Sequence, residues 1–326
     1  MSRLDTCLYK IRQLLFTVLG IYLTVLLLAY PALSLTYASK GLVLWFEKMI
    51  PTLLPFMILS GIMIRMHLTH QCVGLFHPLF HRIFHTSKDG TYTIFMGFLC
   101  GFPMGARIVG ELLEAGKLSK EEGSLLLSFC NNIGPIYFLS FVVPVLGIQK
   151  PLLPFCIMYG IPLLYGAAVM RLSSYNTHKS RIRRKTPLEK HLPLTAASCQ
   201  KTEPIKPALL AAVDASVLSG LTGIGKLGGY MVFFNLLNIA FVPFGNLPPL
   251  CLCFYNCMLE ITSGIDRCGQ AYPYLVLLML PFGGFSCIAQ TYSMIQHTDL
   301  SIRPYLFHKL SQTAITALCY LLIRPF

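Results

Sequence analysis

Gly101-Phe102-Pro103-Met104-Gly105-Ala106-Arg107 interrupts one long apolar run of this chain, and Gly283-Gly284-Phe285-Ser286-Cys287-Ile288-Ala289-Gln290 interrupts another. Laid over each other, they match Gly101 with Gly284, Phe102 with Phe285, Ala106 with Ala289 and Arg107 with Gln290. After one residue of slack, Leu118-Ser119 falls on Leu300-Ser301. Glycine-interrupted apolar segments at matching places in two halves of a chain mark transporters built from repeats, with the binding site at the repeat interface.

The surrounding composition sets the class. Of 326 residues, 55% are hydrophobic and 12% charged, against about a quarter charged in soluble domains. Uncharged runs cover Gln13–Ser39, Gly123–Gln149, Pro151–Met170, Leu227–Leu259 and Cys268–Thr298. Each reaches the roughly 20 residues that cross a bilayer as helix. The fold expected is an all-α, polytopic membrane protein whose first partner is the lipid bilayer. The first run follows Arg3, Lys10 and Arg12 but is longer than a signal core and lacks a small-residue cleavage site, so it reads as a retained membrane helix.

Charge and cysteines narrow the alternatives. The net charge is +13, and nine basic against two acidic residues between Arg171 and Pro207 contribute +7 of it. In a membrane protein such a loop follows the positive-inside rule and is cytoplasmic, so no nucleic-acid partner is expected. The twelve cysteines form no CxxC pair and sit mostly inside apolar runs. Neither a metal site, a cofactor nor a disulfide scaffold is expected.

The linker at 171–207 divides the chain: a first helix in 1–40, one repeat in 41–170 and a second in 208–326. With the basic amino terminus inside, five crossings before the linker would place it outside. If 92–114 instead dips in and returns, four crossings remain and the linker is inside. The segment 274–297 is expected to repeat this from the opposite face, giving inverted repeats. Non-helical backbone at that depth needs protein or a wet cavity around it.

Several motifs resemble a known family. They are Pro51-Thr52-Leu53-Leu54-Pro55-Phe56, Gly101-Phe102-Pro103-Met104-Gly105-Ala106-Arg107, Lys117-Leu118-Ser119, Phe129-Cys130-Asn131-Asn132-Ile133-Gly134-Pro135, Leu259-Glu260-Ile261-Thr262-Ser263-Gly264 and Phe282-Gly283-Gly284-Phe285. They resemble the YlbJ family of sporulation membrane proteins, grouped with the nucleoside recognition or Gate-domain proteins. The resemblance implies a layout similar to concentrative nucleoside transporters, with two re-entrant hairpins and two broken helices. It also implies dipicolinate movement during spore formation. No GxxxxGK[ST] motif is present, which sets the chain apart from the G-protein-fused iron transporters of that group.

The candidate site follows from the breaks. At Gly101, Phe102, Pro103 and Gly105 the chain can reverse, and a helix starting near Met104 would aim free N–H groups at an anion. Arg107 is the expected carboxylate partner, with a structural pair to Glu111 as the alternative. Asn131, Asn132 and Gly134 suggest an unwound helix centre open to substrate or a cation, with interhelical hydrogen bonding by the amides as the alternative. Gly283, Gly284, Phe285, Ser286 and Gln290 repeat the first tip without its charge. Glu260 and Thr262 are candidates for a coupling H+ or Na+, or for structural pairing. His77, His81 and His85 recur every four residues among Phe76, Phe80 and Phe84, which reads as an interfacial amphipathic helix.

No catalytic constellation is visible, so an enzyme is not expected. The reading is a transporter of a small anionic solute. A nucleoside or cation carrier of the same fold, and a non-transporting scaffold, stand as alternatives. The oligomeric state is not legible.

Overall fold

A computed structural model describes residues 3–183, 209–245 and 247–323. Among them every regular element is helical, and seven helices are long and apolar enough to cross a membrane. α1 (Arg3–Ala29) ends where Pro31 forces Tyr30 out of helical backbone, at φ −125° and ψ 60°. The break therefore falls at Tyr30–Pro31, upstream of the Gly41 at which the sequence suggested the second helix. α2 (Pro31–Leu44) passes through a π turn at Trp45–Met49 into α3 (Ile50–Arg65), forming one apolar span. Short α4 (Thr69–Cys72) and α5 (His77–Phe84) follow.

α6 (Lys88–Cys100) and α7 (Met104–Glu114) form a helical hairpin. Cβ atoms built on Gly97 and Gly105 would lie 2.4 Å and 2.3 Å from the same Cys130 carbonyl oxygen. A straight helix would separate residues eight apart by about 12 Å. α6 starts on Ser87, whose hydroxyl accepts from the Gly90 N–H. α8 (Lys120–Cys130) starts likewise on Ser119, which accepts from the Glu122 N–H. The helix opens at Asn131–Gly134 and resumes through α9 (Pro135–Tyr137), a π turn at Phe138–Val142 and α10 (Val143–Leu146). α11 (Leu152–Arg183) carries the first residues of the basic linker as helix; its remainder, 184–207, lies outside the described residues.

The second half repeats the order. α12 (Leu209–Leu236), with a 3-10 extension over Leu237–Phe244, packs antiparallel to the α2–α3 span. Gly41 meets Met231 and Val232, the Trp45 indole donates to the Ile224 carbonyl, and Arg65 donates to Ser216. α13 (Pro249–Leu259) and α14 (Ile261–Cys268) then form a second hairpin that turns at Glu260. Arg267 donates to Asn256 at 3.1 Å, and the Cβ position of Gly264 is 2.8 Å from the Cys257 Cα. α15 (Pro273–Met279) and α16 (Gly284–Ile295) are separated by a break at Leu280–Gly283, and α17 (Ile302–Ile323) closes the described chain.

This revises the expected register. The hairpin of the second half is 249–268, not 274–297. Tyr274 donates to the Tyr320 carbonyl, while Thr291 shares the Asn131 amide with Tyr305. α15 and α16 thus run along fifteen residues of α17, about 22 Å at helical rise, without doubling back. The element matching this broken helix is α8–α10, and the Glu260 turn occupies the place of the Gly101 turn. Local sequence suggested otherwise because glycine breaks and hairpin turns share a composition.

The two hairpins reach the middle from opposite ends of the α2–α3 span. Lys117, just after the first, donates to the Ile64 carbonyl, whereas Asp266 in the second pairs with Lys40 at 2.6 Å. Lys40 and Ile64 are about 36 Å apart along a helix.

Candidate functional site

Each hairpin turn packs against the broken helix of its own half. Gly101 has a positive φ of 89°, and a methyl there would stand 2.3 Å from the Gly134 amide nitrogen. A Cβ on Gly284 would stand 2.8 Å from the Cys257 carbonyl oxygen and 3.1 Å from that of Met258. Only glycine permits that separation at either junction.

Between the turns is a cavity of about 60 Å³, lined among others by Phe102, Ile133, Tyr137, Glu260, Thr262 and Gln290. The predicted site residues divide around it. Phe102, Gly134, Gln290, Glu260 and Thr262 face it. Gly101, Gly105, Gly283 and Gly284 supply close backbone approach, and Pro103 precedes the first turn of α7. Ser286 is fully buried and accepts from Gln290 at 2.9 Å, fixing that amide. Phe285 is exposed on the outer surface.

Arg107 lies elsewhere. Its Nε donates to Glu111 at 2.9 Å and its Nη2 to Ser219 at 2.9 Å, with Gly223 leaving room for the guanidinium. It lines a separate cavity with Glu114, Lys226 and His297. The structural pairing weighed for Arg107 is the one present, because the side chain leaves α7 on the face turned to α12. Glu260 is likewise engaged locally. Its two oxygens accept from the Thr262 and Ser263 N–H groups at 3.0 Å and 2.7 Å, capping α14.

Asn131 and Asn132 are buried in the opening of the broken helix. The Asn131 amide donates to Thr291 at 2.7 Å and to Tyr305 at 3.2 Å. Asn132 donates to the Phe129 carbonyl at 2.6 Å. The residue that organises them was missed in the sequence. Lys309, 1% exposed on α17, donates to the Asn131 carbonyl and to Asn132 Oδ1, both at 2.9 Å. Its ammonium sits 4.6 Å from the centroid of the Phe102 ring. The signal was available: a lone lysine within the apolar stretch Pro304–Ile323 is an intramembrane charge, which marks function by default.

The histidine face on α5 is apart from this centre. His77 donates or accepts with Thr91 at 2.9 Å, and burial, followed by His81 and nearby Lys88, lowers its pKa from the ordinary value. Among the described residues no group of three or more ligand-type side chains could hold a metal.

Comparison with known proteins gives one full-length similarity. Over 96% of its length the chain is 26% identical to the sporulation integral membrane protein YlbJ of Bacillus subtilis (strain 168), covering 83% of that protein. No family model and no solved structure matches. The similarity runs through both hairpins and both broken helices, and with seven membrane-length helices the chain is a multi-pass integral membrane protein similar to YlbJ.

Proposed function

We propose that this protein carries a small organic anion across a membrane during spore formation, with dipicolinate as the substrate. Two hairpins reaching one cavity from opposite ends support re-entrant elements in inverted repeats, the Gate-domain layout. One repeat rocking against the other would then expose the cavity alternately to each side.

The observation that carries the charge preference is a convergence on Phe102. α7 starts two residues beyond it, and the Cβ position of Gly283, which opens α16, is 3.1 Å from its ring. Neither helix start has a side-chain cap. Each such start carries roughly half a positive charge and suits a carboxylate. The Lys309 ammonium lies over the same ring. Glu260, the carboxylate on the cavity wall, is occupied by its own helix. In this scheme the Phe102 face stacks on a planar acid, while Gln290 and Thr262 offer polar contacts.

The test is uptake of radiolabelled dipicolinate by liposomes containing the full-length protein, with radiolabelled uridine in parallel. Dipicolinate should enter and uridine should not. Phe102→Ala and Gln290→Ala should each lower uptake by about tenfold, the equivalent of one polar or stacking contact. Uridine entry, or no dipicolinate entry into sealed vesicles, rejects the anion reading.

A further inference from the structure

We propose that Lys309 is a tethered cation standing where a free sodium ion would otherwise bind, so that this carrier is built to work without sodium. The consequence for coupling rests on the carrier reading above; the occupancy itself does not.

The argument starts at the end of α8. A helix leaves its last carbonyls without intrahelical donors. Here those groups face inward, where water cannot meet them, because the chain opens at Asn131 instead of continuing. Gln312 donates to the Ser128 carbonyl at 2.6 Å, and Lys309 takes the Asn131 carbonyl and the Asn132 side-chain oxygen. The Asn131 Oδ1 is buried nearby with no hydrogen-bond partner. Carbonyl oxygens released by an unwound membrane helix, joined by side-chain amide oxygens, are what coordinates sodium in transporters of broken-helix design.

In this chain the position is filled. The ammonium has three donors and no acceptor. Two oxygens and the Phe102 face surround it, and among the described residues no carboxylate is ion-paired with it. An alkali cation and the ammonium cannot share those oxygens. A charge supplied by the chain keeps the broken helix closed on α17 in every ionic medium, and it keeps the positive centre beside Phe102 when no ion is present.

The alternative is a plain helix cap, in which any hydrogen-bonding side chain would serve and cations would be irrelevant. Thermal unfolding of the purified full-length protein in detergent separates the two, with sodium chloride exchanged for choline chloride at constant ionic strength. Choline is too large for the site. Wild type should melt at the same temperature in both salts. Lys309→Ala should melt several degrees lower in choline and recover, saturably, in sodium or methylammonium. Lys309→Gln, which keeps a donor, should gain less from sodium.

Sodium-dependent stabilisation of the wild type overturns the proposal. So does a Lys309→Ala protein indifferent to every small cation. If that variant does not fold, binding of radioactive sodium to the wild type decides: none supports a filled site, and saturable binding displaced by methylammonium rejects it. A correct melting pattern without dipicolinate uptake would leave this inference standing and remove the anion-carrier reading alone.

Discussion

Gly105 lies so close to Cys130 that a methyl on its Cα would stand 2.3 Å from the Cys130 carbonyl oxygen. Gly97, on the other arm of the same hairpin, presses on that oxygen too. The first hairpin is therefore held by backbone contact with the helix it supports, and its arms carry glycine where side chains would wedge them apart.

Gly97→Ala and Gly105→Ala should each destabilise the protein by about 1–3 kcal/mol through overpacking. Gly225→Ala and Gly229→Ala on α12, where nothing lies within 4 Å of the new methyl, should be neutral or stabilising by up to about 1 kcal/mol. Melting in detergent measures both pairs. Equal losses at all four positions would mean that the hairpin contact is not specific.

Between α7 and α12, buried Arg107 pairs with half-buried Glu111. Removing one partner should leave an uncompensated charge and cost about 3 kcal/mol, whereas Arg107→Met with Glu111→Leu together should cost less than either alone. A double-mutant cycle by thermal unfolding reads this out. Additive losses would show that the pair is not coupled.

The opposite approach of the hairpins makes a labelling prediction. In a background with Cys199 and the exposed Cys7, Cys72, Cys156 and Cys251 replaced by serine, new cysteines at exposed Lys88 and Lys120 should react with an impermeant reagent from one face. Cysteines at exposed Pro248 and Gln270 should react from the other. If positions 88 and 120 react from different faces, the first hairpin crosses the bilayer and the inverted arrangement fails.

Asn132→Leu removes one oxygen from Lys309 and the donor to Phe129. With two buried groups left unmet, the expected loss is about 2–4 kcal/mol. The double variant with Lys309→Met should recover part of it, since the ammonium no longer needs the oxygen. No recovery would place the cost of Asn132→Leu in shape alone.

Much of this was legible in the residues. The apolar runs gave the membrane class, and glycines and paired amides located the breaks at Gly101, Asn131 and Gly283, because those residue types are needed wherever backbone leaves the helix or meets another chain segment. The similarity of Gly101–Arg107 to Gly284–Gln290 nevertheless pointed to the wrong partners. Both segments are glycine turns followed by helices, yet one joins two arms and the other interrupts a single traverse. The carboxylate at Glu260 marks the second hairpin turn, whereas the sequence offered it either for a coupling ion or for structural pairing.

Local chemistry alone determined that this chain lives in a bilayer and where its helices break. Tertiary structure decided which arms fold together, that Arg107 turns toward α12, and that Lys309 meets Asn131 and Asn132 across more than 170 residues of sequence. The division has a physical cause. Helix formation and interruption are set by neighbours within a turn or two, while the partner of a buried charge is set by packing among segments that the sequence leaves far apart.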